Sequence, residues 1–278
     1  MVTALYFALA ALTALYGAIF LRSSEGARPS FLHTLIGFAT NFLDTLGIGS
    51  FATTTAIFKF AAMVPDRLIP GTLNAGHTLP TAFQAFIYLT AIEVDARTLV
   101  LLIAGAVAGA WFGAAAVSGL SRRTVQLCVG GALLIAAAAL LMRQFELFPA
   151  GGAALGLDGW KLVAAVAGNI LLGAVSTLGI GFYAPCMTMV SLLGMNPAVA
   201  FPIMMGSSAF LMPVASAQFV RRKAYSAPVA LGLTLGGLAG VPLAAFVVKS
   251  LPLAGLRWLV IIAVFYAAVL TLRSGEQK

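Results

Sequence analysis

Apolar runs of about twenty residues recur along the whole chain, separated by short polar loops. As an α-helix, a run of that length spans the roughly 30 Å hydrocarbon core of a bilayer, because each residue adds about 1.5 Å. Hydrocarbon supplies no hydrogen-bond partners, so a spanning segment must pair its own backbone groups, and a helix does this without help from neighbours. A mean hydropathy of +1.03 and a charged fraction of only 9% point the same way. The expected fold class is an all-α polytopic membrane protein.

A second pattern divides the chain. The pentapeptide Thr45-Leu46-Gly47-Ile48-Gly49 returns as Thr177-Leu178-Gly179-Ile180-Gly181, an offset of 132 (177 − 45). Pro65 and Pro197, Pro70 and Pro202, and Gly105 and Gly237 keep that offset, and Pro80 maps to Pro213 with a slip of one. The spacing predicts two homologous repeats: an N-terminal helix and loop over 1–30, a first repeat over 31–143, a linker over 144–158, and a second repeat over 159–278. Each repeat begins with a long apolar stretch, 31–63 or 160–194, too long for one span and interrupted by glycine. Three helices follow in each: 69–92, 98–120 and 124–142, then 199–220, 226–248 and 253–272. The opening run, about 2–21, has no Lys or Arg before it and exceeds the apolar core of a signal peptide, so it reads as a retained transmembrane helix.

The formal charge of +8 is spread in short clusters such as Arg122-Arg123 and Arg221-Arg222-Lys223 between apolar runs. That pattern marks cytoplasmic loops, and no nucleic-acid partner is expected. If each broken segment enters and leaves on one side as a re-entrant hairpin, one face holds 11 of the 16 Lys and Arg. If each crosses as a kinked span, the split is 10 to 6. Both arrangements put the N-terminus outside and the C-terminus in the cytoplasm. Three crossings per repeat make the repeats inverted and four make them parallel. The charge count and the habit of transporters to pair broken helices across inverted repeats favour inversion.

The glycine breaks carry the chemistry. A helix that starts inside the bilayer exposes unpaired N–H groups with partial positive charge, which bind anions. Two such ends, each with a threonine hydroxyl beside it, would cradle one small anion without a buried cation. The plainer account is that the glycines permit close helix crossing. The candidate substrate-binding residues are Asn41, Thr45, Gly47, Gly49, Asn74, His77, Thr177, Gly179, Gly181, Ser207 and Ser208. Asp44 is the one acid deep in an apolar stretch; it is a candidate for proton coupling, as is His77, and equally a cap for the half-helix after the break. On the helix over 69–92, Asn74, His77, Thr78, Thr81 and Gln84 recur every three or four residues as one polar stripe, and Ser207, Ser208, Ser216 and Gln218 take comparable places later. Pro80 and Pro213 either free a carbonyl beside the site or simply kink their helices. Lys59 either attracts anions or snorkels to the interface.

No metal site or cofactor is expected. Cys128 and Cys186 lie in apolar runs without metal-ligand spacing, His33 and His77 are the only histidines, and no glycine-rich nucleotide motif occurs. The same poverty of nucleophile–base pairs argues against an enzyme.

The stretches Asn41-Phe-Leu-Asp-Thr-Leu-Gly-Ile-Gly49 and Ser176-Thr-Leu-Gly-Ile-Gly181, the helices that follow them and the two-repeat layout resemble the TauE/SafE-type sulfite exporter family of bacterial permeases. The resemblance covers nearly all of the chain after residue 30. It implies a secondary transporter in the bacterial cytoplasmic membrane that exports sulfite, an organosulfonate or a related small anion. Asp44 to Gly49, Asn74, His77, Thr177 to Gly181 and Ser207-Ser208 are the residues it carries over. A passive anion channel, or a carrier of small carboxylates, of the same build is the alternative. The lipid bilayer and a small anion are the expected partners. A homodimer is compatible with the sequence, which has no feature that requires one.

Overall fold

The structure is a computed structural model that describes residues 2–46, 48–117, 119–147, 150–177, 182–247 and 253–276. The described residues form eleven α-helices and no strand: α1 Val2–Ser23, α2 Phe31–Thr45, α3 Ser50–Phe60, α4 Ile69–Ala91, α5 Ala96–Val117, α6 Arg122–Gln144, α7 Gly159–Ser176, α8 Tyr183–Leu192, α9 Ala200–Arg221, α10 Ala227–Pro242 and α11 Leu253–Glu276. One-turn 3₁₀ segments, Asp66–Leu68 and Pro197–Val199, lead into α4 and α9, and a π turn, Leu243–Val247, extends α10. Six helices among the described residues are long and apolar enough to cross a membrane. Apart from α1, the described elements follow the same order on either side of residues 145–158: helix, short helix, 3₁₀ turn, proline-containing helix, two more helices.

Local chemistry explains the helix ends. Ser30 and His33 form a reciprocal cap at the start of α2, with His33 N–H donating to Ser30 Oγ at 3.2 Å and Ser30 N–H to His33 Nδ1 at 3.3 Å. Asp95 caps α5 by accepting from Thr98 N–H at 2.8 Å and Thr98 Oγ1–H at 2.6 Å. These bonds favour the ionised carboxyl and hold Asp95 below the usual carboxylate range. Pro80 sits inside α4 without ending it. Lacking an N–H, it leaves the Gly76 carbonyl without its helical partner, and Thr234 Oγ1–H of α10 donates to that carbonyl at 2.8 Å.

The helices pair across the two halves. α2 lies along α10, and α7 lies along α5. Both contacts are close enough to need glycine: a Cβ on Gly236 would overlap the Thr34 carbonyl oxygen, and one on Gly109 the Ile170 carbonyl oxygen. α4 packs on α9 and on α10, α5 on α9, and α6 on α11. The buried core follows these contacts, with Leu73, Leu102, Ile203 and Met204 among its largest fully buried side chains. α1 lies outside this frame against α4 and α9, held by Tyr16 O–H donating to the Ala75 carbonyl at 2.9 Å.

Loop contacts define two ends of the molecule. At one, Ser226 N–H donates to Thr72 Oγ1 at 2.9 Å, Gln126 Nε2 to Asp66 Oδ2 at 2.6 Å, and Arg222 Nη1 to the Ala115 carbonyl at 2.6 Å. At the other, Asp95 N–H donates to the Leu155 carbonyl at 2.9 Å, and Lys161 Nζ, in the first turn of α7, to the Leu193 carbonyl just beyond α8 at 3.1 Å.

Candidate functional site

The break between α2 and α3 is organised by Asp44. α2 closes with Ile48 N–H donating back to the Leu43 carbonyl at 3.0 Å. Gly49 then takes a φ of +85°, which favours glycine, and α3 begins. Asp44 Oδ1 accepts from Ser50 N–H at 2.8 Å, so a carboxylate from the end of α2 caps α3. One N–H of the expected anion cradle is therefore taken by the chain's own acid. Gly47 lies outside the described residues, as do Gly179, Gly181 and the rest of 178–181.

Thr45 and Thr177 are both buried, and both spend their hydroxyl protons on their own helices. Thr45 Oγ1–H donates to the Asn41 carbonyl at 2.9 Å and Thr177 Oγ1–H to the Ala174 carbonyl at 2.7 Å. Thr45 Oγ1 is left as an acceptor and takes a bond from Gln84 Nε2 at 2.9 Å. Gln84 Nε2 also lies 3.5 Å from the Asn41 carbonyl, and the Gln84 amide reaches the Asp44 carboxylate. Tyr88 O–H donates to the Thr45 carbonyl at 2.8 Å, tying α4 to the end of α2.

His77 joins three elements. Asn41 Nδ2 donates to the Gly37 carbonyl at 2.7 Å, so its Oδ1 faces His77 Nδ1, 3.0 Å away. That oxygen can only accept, so Nδ1 carries the proton. Nε2 then offers its lone pair to Thr54 Oγ1–H of α3 at 3.0 Å. The imidazole is neutral with both nitrogens satisfied, and the Phe51 ring packs beside it at 5.7 Å between centroids.

The polar stripe of α4 is buried along its length, at 0% exposure for Asn74, His77, Thr78 and Gln84 and 4% for Thr81. It serves two neighbours. His77 and Gln84 turn to α2 and α3, while Thr78 Oγ1 meets Ser216 Oγ of α9 at 3.0 Å. Asn74 Nδ2 donates to the Pro70 carbonyl at 2.9 Å. Asn74 Oδ1 and Gln84 Oε1 are buried without a hydrogen-bond partner among the described residues. On α9, Ser207 is fully buried and accepts from Asn169 Nδ2 of α7 at 3.2 Å, whereas Ser208 is half-buried. The geometry thus brings Asn41, Asp44, Thr45, His77 and Gln84 together around the first break and leaves Ser207 in a separate node on α7.

Lys59 is spoken for. Its Nζ lies 2.7 Å from Asp66 Oδ1, on a side chain only 10% exposed. The pair borders a groove of about 670 Å³ lined by Phe58, Lys59, Val64, Pro65, Asp66 and Arg67. Among the described residues, no group of three or more His, Cys, Asp or Glu could hold a metal ion.

The sequence reading passed over Thr54 and Asn169. Asn169 stands alone in an apolar helix, the signal that could have singled it out; Thr54 is hidden in the run Thr53-Thr54-Thr55. Comparison with protein-family models, curated proteins and solved structures finds no match for this chain.

Proposed function

We propose that the chain is a secondary carrier of a small oxyanion, with sulfite or a short sulfonate first, in the bacterial cytoplasmic membrane. The reading keeps the resemblance to the TauE/SafE-type exporters and adds an argument from geometry. Asn41 of α2 and Thr54 of α3 reach the same histidine on α4, so α3 runs back beside α2 toward the end where α4 begins. The Lys161–Leu193 contact joins the outer ends of α7 and α8 at the opposite end. Two re-entrant hairpins entering from opposite faces would bring their glycine breaks toward each other at mid-depth, as in inverted-repeat transporters. That pair of contacts is the observation that carries the reading.

In this arrangement residues 22–28, 59–67, 122–123, 221–223 and the C-terminus share the cytoplasmic face, and the N-terminus lies outside. The anion would sit between the breaks, on N–H groups of residues 47–51 not used by Asp44 and on those of 178–182. His77, already neutral and doubly bonded, positions α2 and α3 for it.

Flux into proteoliposomes tests the reading, with sulfite, sulfate, a short sulfonate and acetate as substrates beside a Gly47→Val/Gly179→Val double variant. Saturable sulfite or sulfonate flux that the double variant abolishes is the expected result. Acetate flux alone moves the substrate to carboxylates, linear non-saturating flux makes the protein a channel, and undiminished flux in the double variant removes the paired-break site.

A further inference from the structure

In the loop between α3 and α4 one carboxylate is held from two sides. Asp66 Oδ1 accepts from Lys59 Nζ–H of α3 at 2.7 Å, and Asp66 Oδ2 accepts from Gln126 Nε2–H of α6 at 2.6 Å. The bases around it are not used up in return. An ammonium has three N–H groups, and Lys59 gives one of them to Asp66. Arg67 is exposed, and the ion pairs among the described residues, Lys59–Asp66 and Arg97–Asp158, do not include it. Arg123, one turn before Gln126 on α6, is exposed as well. Lys59, Asp66 and Arg67 line the groove of about 670 Å³, whose remaining walls are the apolar Phe58, Ala62, Val64 and Pro65. Sites for small molecules span about 300–1,000 Å³, so the groove has room for a ligand.

We propose that this groove binds the headgroup of an anionic phospholipid that carries a single phosphodiester charge. Charge complementarity is the first argument. Lys59, Arg67 and Arg123 stand against one acid, both of whose oxygens already accept from the chain, and neither α3 nor α6 contains an acid of its own. The Arg67 guanidinium and the remaining Lys59 N–H groups are donors suited to phosphate oxygens. The second argument separates a lipid from a free oxyanion. Next to Lys59 on α3, Phe60 is 52% exposed, and its ring stacks on that of Tyr266 of α11, 51% exposed, with 5.2 Å between centroids. Two exposed rings beside a charged groove offer a surface to the glycerol and acyl region of a lipid, as aromatic residues do at membrane interfaces, and a free oxyanion would leave that surface unused. The third argument is position. The groove belongs to the end that also holds residues 122–123 and 221–223, and basic pockets between helices on a cytoplasmic face are where anionic headgroups bind. This last step rests on the orientation proposed above; the chemistry of the groove does not. A phosphate there bridges Lys59 at the end of α3 and Arg67 in the turn before α4, and Asp66 passes that link to α6 through Gln126. The lipid thus fixes the outer end of the first hairpin and leaves the break at Gly49 as the place where it bends.

Counting bound lipids by native mass spectrometry tests the site. The purified full chain in detergent is titrated with phosphatidylglycerol, phosphatidylethanolamine and phosphatidylcholine of matched acyl chains, and inorganic phosphate is added as a competitor. One phosphatidylglycerol is expected to bind ahead of the two zwitterionic lipids and to stay bound at an equal concentration of phosphate. Arg67→Gln is expected to weaken that first binding about fivefold, which corresponds to about 1 kcal/mol of attraction per basic residue. Arg67→Lys is expected to keep it, and Arg221→Gln, in a different loop of the same end, to leave it unchanged. Both arginines are exposed, so these variants leave the core as it is. Equal binding of the three lipids, preference for a zwitterionic one, undiminished binding in Arg67→Gln, or equal weakening by Arg221→Gln overturns the proposal. Displacement by an equal concentration of inorganic phosphate assigns the groove to a free oxyanion and overturns it too. The count requires no flux, so the lipid site and the carrier reading fail separately.

Discussion

The Asn41–His77–Thr54 chain of bonds decides what its members can do. Every donor and acceptor on the ring is used, so shortening Asn41 to alanine strands His77 Nδ1–H and the Gly37 carbonyl contact. That loss is expected to cost about 2 kcal/mol, read as a lower Tm of the purified protein. Asp95 gives a different kind of prediction. Its pKa lies below the ordinary value in the folded protein, so its cap contributes fully above the usual carboxylate range and is lost as pH falls through the lowered value. Asp95→Asn keeps a capping side chain but removes the charge. Its melting temperature is therefore expected to fall less than the wild type's on acidification. Asn41, Asp44, Asn74 and His77 stand out in the sequence because polar side chains in apolar runs must find partners. The sequence does not say which hydroxyl meets which nitrogen. Thr54 is one of three adjacent threonines, and only the turn of α3 selects it.

At the level of elements, hydrophobic runs mark most helices to within a few residues; the run expected over 98–120, for example, is α5 at Ala96–Val117. The proline inside α4 was legible as a freed carbonyl, but its remedy was not, because Thr234 lies 158 residues from Gly76. The end of α3 holds a feature that no apolar pattern shows: Ala62 has a φ of +48°, in the left-handed region. Ala62→Gly is expected to stabilise the protein by about 0.5–1 kcal/mol, seen as a rise in Tm. The glycines of the close helix pairs behave oppositely. Gly109→Ala and Gly236→Ala each place a methyl on a neighbouring carbonyl, and each is expected to cost about 1–3 kcal/mol and to reduce the yield of monodisperse protein. A stripe of glycines suggests close packing, yet nothing in it names the partner helix, which for Gly109 and Gly236 comes from the other half.

For the whole molecule, the two ends defined by loop contacts make a topology test. In a background with Cys128 and Cys186 replaced, single cysteines at Gly26, Met63 and Gly119 are expected to share one labelling side in intact cells, and cysteines at Glu93, Leu155 and Gly194 the other. Mixed labelling within either set would break the hairpin arrangement. The reciprocal pairing of α2 with α10 and α5 with α7 also bears on how such a protein is made. The two halves are readable as units in the sequence, but α2 of the first packs along α10 of the second and α7 of the second along α5 of the first, each contact lined by glycine. Neither half is therefore a self-sufficient folding unit. A ribosome that has finished the first half has produced an unfinished surface, with the glycine track of α5 open until α7 arrives and α2 waiting for α10. Severing the chain within the linker should thus leave two fragments that are degraded when expressed singly and rescue each other when expressed together.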